Sequence, residues 1–428
     1  MQALNVLLIG SGGREHSLAW AISRSSFLKH LYIAPGNPAT ADLGSNLTLN
    51  VSDHAEVLTF CKDQNIDLVI VGPEQPLVDG ITNYLTEEGI LVFGPDDVGA
   101  RLEGSKSFAK EIMAKYGVPT ADHLTFVDEN LQDAEQWILE HDVFPVVLKA
   151  DGLAAGKGVF ISTSKEEAFE HLSEIRNSPS LSGAASKLVI EEFMQGEEAS
   201  VFAICDGENF VVLPAAQDHK RIGDDDTGPN TGGMGAYSPA PVMTEELMES
   251  VKNDVIKPML YGMQKEGHPY KGALYVGLMI KDEKAKVVEF NCRFGDPECQ
   301  ILMPKITSDV LELLYRAASG TLPEYNLTFD EKTWVCVVMA SKGYPGSYPK
   351  GYEITGFQNL KSDQLVFHAG TSKDSEGKLV TSGGRVLAFT ASGDDLLSAI
   401  KNAYDGVSQI SFKDAYYRKD IGQKGLRH

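Results

Sequence analysis

The chain has 428 residues, 43% of them hydrophobic, and a formal net charge of −22. That is enough length for roughly three domains, with apolar material for their cores. The acidic balance excludes general affinity for nucleic acid or an anionic membrane, so an anionic substrate requires local basic residues acting against the global field. The cysteines (Cys61, Cys205, Cys292, Cys299, Cys336) are scattered, odd in number and without C-x-x-C spacing. This pattern argues against structural zinc and for a reduced, cytoplasmic setting.

Residues Leu4 to Ile9 form a short apolar run without a basic lead-in, which reads as a first strand and not as a signal peptide. GSGGRE follows, then a stretch with Leu18 and Ile22 four apart: strand, glycine turn, helix. The pattern recurs with a helix face at Val57, Phe60 and Cys61, a strand from Leu68 to Val71, a helix at Ile81 and Leu85, and a strand from Ile90 to Phe93. Alternation of this kind predicts a parallel, doubly wound sheet with right-handed crossovers. Gly10 and Gly12 begin a dinucleotide fingerprint, but Glu15 stands at the third glycine position and disfavours a nicotinamide site. A helix start at Gly12, Gly13 and Arg14 suits a small phosphate; a tight turn with a surface arginine reads equally well. No uncharged run is long enough to span a bilayer.

Ser105 to Tyr116 reads as a helix stopped by Gly117, with Pro119 beyond, at a domain junction. From Thr125 to Ile204 the signals are strands and hairpins around one or two helices. Within them lies VVLKADGLAAGKGVFIS. Lys149 closes one apolar run, Gly152, Gly156 and Gly158 surround Lys157, and a second apolar run begins at Val159. Glycine lets backbone N–H groups approach oxyanions, and lysine supplies point charge. Val159, Phe160 and Ile161 are strand residues, whereas a Walker loop or Rossmann turn runs into a helix. The stretch therefore predicts a hairpin tip acting as a flap over phosphates, with an ordinary glycine-rich hairpin as the alternative.

LVIEEFMQGEEAS reads as strand, turn, strand, with Glu191, Glu192 and Glu198 beside an apolar run; a solvated acidic turn is the alternative. Residues 178–187 read as a loop, and 217–241 as a long loop with almost no apolar periodicity, of a length that is usually functional or disordered. In its DHKR cluster, Lys220 and Arg221 suit a carboxylate or phosphate, or else balance Asp224, Asp225 and Asp226. Glu245 to Gln264 reads as a helix; Ala273 to Ile280 and Lys286 to Asn291 read as strands joined by a polar turn. On the second strand Glu289 and Asn291 share a face. Two oxygen ligands there suit Mg²⁺, and Arg293 continues that face toward an anion, although any half-exposed strand shows the same alternation. WVCVVMAS, LVFHAG and GGRVLAFTA, with a helix from Leu396 to Tyr404, read as a strand-rich third domain. No G-x-S-x-G elbow or H-E-x-x-H motif is present.

A flap lysine loop, a lysine-ended strand, an acidic hinge and a Glu/Asn strand, in that order, resemble the ATP-grasp ligases. More narrowly the chain is similar to the phosphoribosylamine–glycine ligase family over essentially its whole length. The likeness rests on GNPAT (36–40), GPEQPLVDGI (72–81), RLEGSKSFAK (101–110), KADGLAAGKGV (149–159), EEFMQGEEAS (191–200), QDHKRIGDDDTGPNTGGMGAYSPAP (217–241), EFNCRFGDPE (289–298), KGYPGSYPKG (342–351) and TSGGRV (381–386). GNPAT departs at Ala39, where that family usually has glycine, a difference that concerns one backbone torsion.

The resemblance implies an α/β and α+β multidomain fold. Residues 1–102 would form a parallel α/β domain for the substrate phosphate, 103–328 an ATP-grasp domain with a flap subdomain at about 120–190, and 329–428 a C-terminal domain. It implies phosphorylation of glycine by ATP to glycyl phosphate, then attack by the amine of 5-phosphoribosylamine. ATP would be bound by Lys106, Lys149, Gly156, Lys157, Glu191, the Phe193 backbone and Glu198, and Mg²⁺ or Mn²⁺ by Glu289 and Asn291. Gly12, Gly13, Asn37 and Glu74 would face the phosphoribosylamine, and Arg293, Asp218 and Lys220 would be catalytic. The implied partners are these small molecules alone, without nucleic acid or membrane, for a monomer or weak homodimer in the cytoplasm.

Overall fold

The computed structural model describes residues 2–127, 131–153, 158–177, 187–361 and 363–428. Strands Leu4–Gly10 (β1), Leu28–Pro35 (β2), Ser45–Asn46 (β3), Leu68–Val71 (β4) and Val92–Phe93 (β5) form a parallel sheet in the order β3-β2-β1-β4-β5. Every residue of β1 is buried, and its two faces enter separate cores. Leu7 and Ile9 pack with Val57, Cys61 and Ile81, while Val6 and Leu8 pack with Leu18 and Ile22. A strand covered on both faces is apolar throughout, which is why it reads as a continuous run. The covering helices are Gly13–Ser23 (α1), His54–Asp63 (α2), Glu74–Val78 (α3) and Ile81–Glu87 (α4). Asp97–Gly104 (α5) leads to Lys106–Tyr116 (α6), capped by Ser105 and ended by Gly117 at φ 72°, as the punctuation predicts.

His123–Val127 (β6), Leu131–Glu140 (α7), Val146–Ala150 (β7), Val159–Ser162 (β8), Lys165–Asn177 (α8) and Lys187–Glu192 (β9) build the flap unit. Its antiparallel sheet runs β6-β9-β7-β8. It has its own small core around Ala134, Ile138, Leu148, Leu172 and Ile190. Lys149 pairs with Val159 across the β7–β8 hairpin, so the glycine loop leads into a strand. Gly156, Lys157 and all but the last residue of the 178–187 stretch lie outside the described residues.

Glu197–Asp206 (β10) and Phe210–Val212 (β11) follow. The stretch 217–241 is more ordered than its composition implies. It contains Gln217–Asp218 (β12), a hairpin of Arg221–Gly223 (β13) with Thr227–Asn230 (β14), and Gly235–Ser238 (β15). All of β15 is buried, so no alternation marks it in the sequence. The predicted helix over 245–264 is Glu245–Ser250 (α9), a π-helical turn at Val251–Ile256 and Lys257–Lys265 (α10). Lys271–Lys281 (β16) and Lys284–Asn291 (β17) complete a sheet in the order β11-β10-β16-β17. Their turn places Asp282 and Glu283 at φ 50° and 58°, the left-handed pair that a tight hairpin demands.

Cys299–Lys305 (α11) and Val310–Ser319 (α12) lead to Thr333–Ser341 (β18), Leu365–His368 (β19), Thr371–Lys373 (β20), Leu379–Thr381 (β21), Arg385–Gly393 (β22), Leu396–Val407 (α13) and Ala415–Tyr416 (β23). The last large sheet runs β12-β15-β18-β22-β19, so strands from the 217–241 stretch are built into it. Among the described residues no helix is long and apolar enough to cross a membrane.

Candidate active site

The flap hairpin is rooted on the first turn of α6. Asp151 accepts hydrogen bonds from Ser107 N (3.0 Å), Ser105 Oγ (3.1 Å) and Ser107 Oγ (2.8 Å), and Lys106 Nζ donates to the Gly152 carbonyl (3.0 Å). Beneath the flap, both carboxylate oxygens of Glu191 lie 2.9 Å from Lys149 Nζ, and Oε2 lies 3.3 Å from Lys110 Nζ. These three side chains are 3 to 7% exposed. Burial lowers the Lys110 ammonium to about 8 against the pull of Glu191, and burial also lowers Lys106 despite Glu289 nearby. One carboxylate thus serves two buried lysines, leaving positive charge that favours an anionic occupant. Lys149 also donates to the Val288 carbonyl of β17 (3.3 Å), tying the flap to the neighbouring sheet.

Glu289 and Asn291 lie side by side on β17, opposite Gly277 and Tyr275 of β16. Burial opposes ionisation of Glu289, but Lys220, Lys149, Lys106 and Arg293 outweigh it and hold the carboxyl below its usual range. The Asn291 amide is assigned from its neighbours: with its nitrogen toward the acceptors Glu103 Oε1 (3.3 Å) and the Phe290 carbonyl (3.1 Å), its oxygen turns away from them. A carboxylate beside a free amide oxygen fits a hard divalent cation whose shell is completed by phosphate oxygens. Among the described residues no group of three or more His, Cys, Asp or Glu is placed to hold a metal, so an all-protein cage is not built here.

Lys220 reaches Glu198 Oε2 (2.9 Å) and stands 3.9 Å from Glu289 Oε1. Beside it, burial raises the Asp218 carboxyl; Glu198 and Glu289 add to the rise and Lys220 opposes it. Glu298 is buried, accepts a hydrogen bond from Ser200 Oγ (3.3 Å), and is likewise raised by burial and by Asp218. Phe193 sits partly buried in the hinge between β9 and β10.

The residues nearer the N-terminal sheet are more fully committed. Arg293 does not project freely: it donates to Glu103 (2.7 Å) and Glu74 (3.3 Å), joining α3 and α5 to the end of β17. At the start of α1, Gly12 N donates to Glu15 Oε2 (2.7 Å), Arg14 Nε to Glu15 Oε1 (2.5 Å) and Arg14 N to Asp296 (3.4 Å). A Cβ on Gly10 or Gly72 would meet Glu15 at 2.3 or 2.2 Å, so the residue that breaks the dinucleotide fingerprint fills the space the glycines leave. Gly13 packs against Gln300. The Asn37 side chain donates to Ser11 and His368 carbonyls and accepts from Ala39 and Thr40 amides, joining its turn to β19. Ala39 sits at φ −85°, where a Cβ costs nothing.

The fold therefore gathers Lys106, Lys149, Glu191, Glu198, Asp218, Lys220, Glu289, Asn291 and Arg293 into one network of neighbouring charges and polar groups, while Gly12, Gly13 and Asn37 make contacts within the protein. Sequence reading missed Lys110, Glu103, Asp151 and Glu298. Only Asp151 had a local signal, a carboxylate between the strand-ending lysine and Gly152, with Ser105 and Ser107 ready at a helix start.

Residues 4–103, 104–299 and 334–424 match, in order, the N domain, the ATP-grasp (A) domain and the C domain of phosphoribosylglycinamide synthetase. The chain is 47% identical over 423 residues to the phosphoribosylamine–glycine ligase of Rhizobium meliloti, covering 99% of each. It is also 47% identical to the trifunctional purine biosynthetic protein adenosine-3 of Gallus gallus, a match that takes in 98% of this chain and 42% of that longer protein. A solved phosphoribosylamine–glycine ligase from Thermotoga maritima superposes with a TM-score of 0.83 at 35% identity, over 98% of this chain and 100% of that one. The lysine cluster and the Glu289–Asn291 edge both fall within the stretch matched to the ATP-grasp domain, and the chain belongs to the phosphoribosylglycinamide synthetase family.

Proposed function

We propose that the chain joins glycine to 5-phosphoribosylamine, converting ATP to ADP and phosphate and giving glycinamide ribonucleotide. The observation that carries this reading is the buried cluster of Lys106, Lys110 and Lys149 opposite Glu289 and Asn291, three basic side chains gathered beside a hard-cation edge in a chain of net charge −22. Membership of a family with an ATP-grasp domain and named glycine-ligating relatives supports the substrates.

Phosphoryl transfer is chiefly positioning and neutralisation of charge. Lys106 and Lys149 hold the ATP phosphates, with Lys110 keeping Glu191 from cancelling the charge of Lys149. The hinge at Phe193 offers backbone groups to the adenine, with Glu191 behind it, and Glu198 faces the ribose. A glycine carboxylate oxygen attacks the γ-phosphorus, the bond to ADP breaks, and glycyl phosphate forms. Glu289 and Asn291 would hold Mg²⁺ or Mn²⁺, which when bound neutralises charge on the phosphoryl oxygens. The flap, rooted through Asp151, covers the acyl phosphate and keeps water from it. The amine of phosphoribosylamine then attacks the acyl carbon and the bond to phosphate breaks. Asp218 accepts a hydrogen bond from the attacking amine, Lys220 offsets charge at the acyl carbon, and Arg293, held by Glu74 and Glu103, presents its remaining charge to the leaving phosphate. In this division of labour residues 1–102 present the phosphoribosylamine, 103–328 handle ATP and glycine, and 329–428 complete the site.

The deciding experiment is ADP release from ATP with and without glycine and phosphoribosylamine. Release that requires both, with glycinamide ribonucleotide as product, is expected. Release indifferent to glycine overturns the reading.

A further inference from the structure

The acidic triplet Asp224, Asp225 and Asp226 is unused by the reaction, and the cations nearest it in sequence do not serve it. Lys220 turns to Glu198 and Glu289, and Arg221 donates to the Gly228 carbonyl (2.6 Å). Its partners come instead from residues 416–424, almost two hundred positions on. The Arg418 side chain has 0% exposure. It makes a bidentate pair with Asp420 (2.8 and 2.6 Å), and its Nη1 donates to Asp226 (2.9 Å) and to the Arg221 carbonyl (3.0 Å). Lys424 pairs with Asp226, Lys419 N donates to Asp224 (2.8 Å), Asp225 N donates to Asp420 (2.9 Å), and Tyr416 OH donates to the Ile222 carbonyl (2.8 Å). Asp225 and Asp226 are held at φ 55° and 53°, a left-handed conformation that non-glycine residues adopt at a cost and keep only when their surroundings impose it.

This strap grips the β13–β14 hairpin, and the base of that hairpin is the ligation site. The Arg221 carbonyl held by Arg418 belongs to the residue immediately after Lys220. The Lys220 carbonyl is held from the other arm by Thr231 N (2.7 Å) and Thr231 Oγ1 (2.8 Å). His219, between Asp218 and Lys220, is buried, and its amide donates to the Gly235 carbonyl (2.9 Å). The main chain is thus pinned at His219, Lys220 and Arg221 in turn, the last by the strap. A residue that aims a reacting group needs such support, because misplacement by about 1 Å can cost on the order of a hundredfold in rate.

We propose that Arg418, with Asp420 and Lys424, is a positioning residue for the second half-reaction: it holds the β13–β14 hairpin so that Lys220 and Asp218 face the acyl carbon and the incoming amine. The proposal rests on the ligation site proposed above. In that reading the phosphates of ATP are held by Lys106 and Lys149 of α6 and β7, which the strap does not touch, and Glu198, paired with Lys220, is the one ATP contact it shares, so the two steps separate in degree in the test. In Arg418→Lys, which keeps the charge and loses the bidentate fork, kcat/KM for glycine and phosphoribosylamine is expected to fall by about tenfold or more in the folded variant, with ATP affinity falling by less. Asp226→Asn, which leaves the Arg418–Asp420 pair intact, is expected to shift the same constants in the same direction by less, and it carries the prediction alone if Arg418→Lys does not fold. Unaltered constants in a folded variant overturn the proposal. So does a loss shared equally by ATP affinity and glycine kcat/KM, which marks a purely structural role. A wild-type enzyme whose ADP release ignores glycine overturns the functional reading itself, a result distinct from a failure of the strap.

Discussion

Two places in this molecule set glycines beside a basic side chain, and they differ in what surrounds the charge. At the start of α1, Arg14 and the Gly12 amide are met by Glu15 and Asp296, so the positive end of the helix is already occupied by carboxylates of the protein. Under the flap, Lys149 and Lys110 share Glu191 alone, and Lys106 turns to a carbonyl. In the first arrangement the cation is met directly by carboxylates of its own turn; in the second two lysines share one carboxylate. The difference teaches that glycine beside a cation does not by itself fix how many counter-charges the cation meets.

The sharpest way to break this comparison is to remove the edge opposite the lysines. Glu289→Ala is expected to lower glycine-dependent ADP release by roughly a hundred- to a thousandfold, the scale of losing one preorganised electrostatic group, while the circular dichroism spectrum stays native; wild-type turnover would remove Glu289 from the site. Arg14→Met tests the closed region. It strands a buried Glu15 and should cost about 3–5 kcal/mol of stability in denaturant titration without changing ATP affinity, and an unaltered denaturation midpoint would remove the pair from the fold's support. Lys149→Met is the converse: ATP binding by calorimetry should weaken by about 1.5–3 kcal/mol, one charge-assisted contact, and unchanged affinity would show the cluster to be structural.

The smallest effect concerns acid lability near α1. His368 N donates to His16 Nδ1 (2.8 Å) where α1 meets β19. Burial, with His368 adding to it, lowers His16 from 6.5 to about 3, and burial lowers His368 from 6.5 to about 4. Between those values and 6.5 the unfolded chain binds more protons than the folded one, so stability rises with pH there and falls on acidification. Each histidine should contribute about 1.4 kcal/mol per pH unit inside that window. Urea midpoints at pH 7 and pH 5.5 should differ in the wild type, and the difference should shrink in His368→Phe, with His16 and the buried His219 keeping the rest; an unaltered slope would count against this interface as a source.

Much of the N-terminal sheet was legible because buried parallel strands are apolar throughout and the helices between them repeat at short range. The flap hairpin was legible because Val159 to Ile161 are strand formers, and the Glu289–Asn291 pair because alternation is a property of adjacent residues. The 217–241 stretch was not. Its strands are short, β15 is buried along its length, and β12 and β15 take their places in a sheet completed a hundred residues later. The strand of Arg293 shows its charge but not the two carboxylates that hold it. Its partners Glu74 and Glu103 lie 219 and 190 positions away.

By itself the sequence determined where strands, turns and helix starts fall and which short stretches carry lysine, glycine and paired oxygen donors, because those follow from steric and periodic constraints within a few residues. Tertiary structure alone decided which charges are neutralised. It closed Arg14 with Glu15 and Asp296, restrained Arg293 with two carboxylates, left Lys110 and Lys149 sharing one, and matched Asp226 with Arg418. The reason is physical: in a buried site the energy of a charge depends on the partners within a few ångströms, and folding draws those partners from anywhere along the chain.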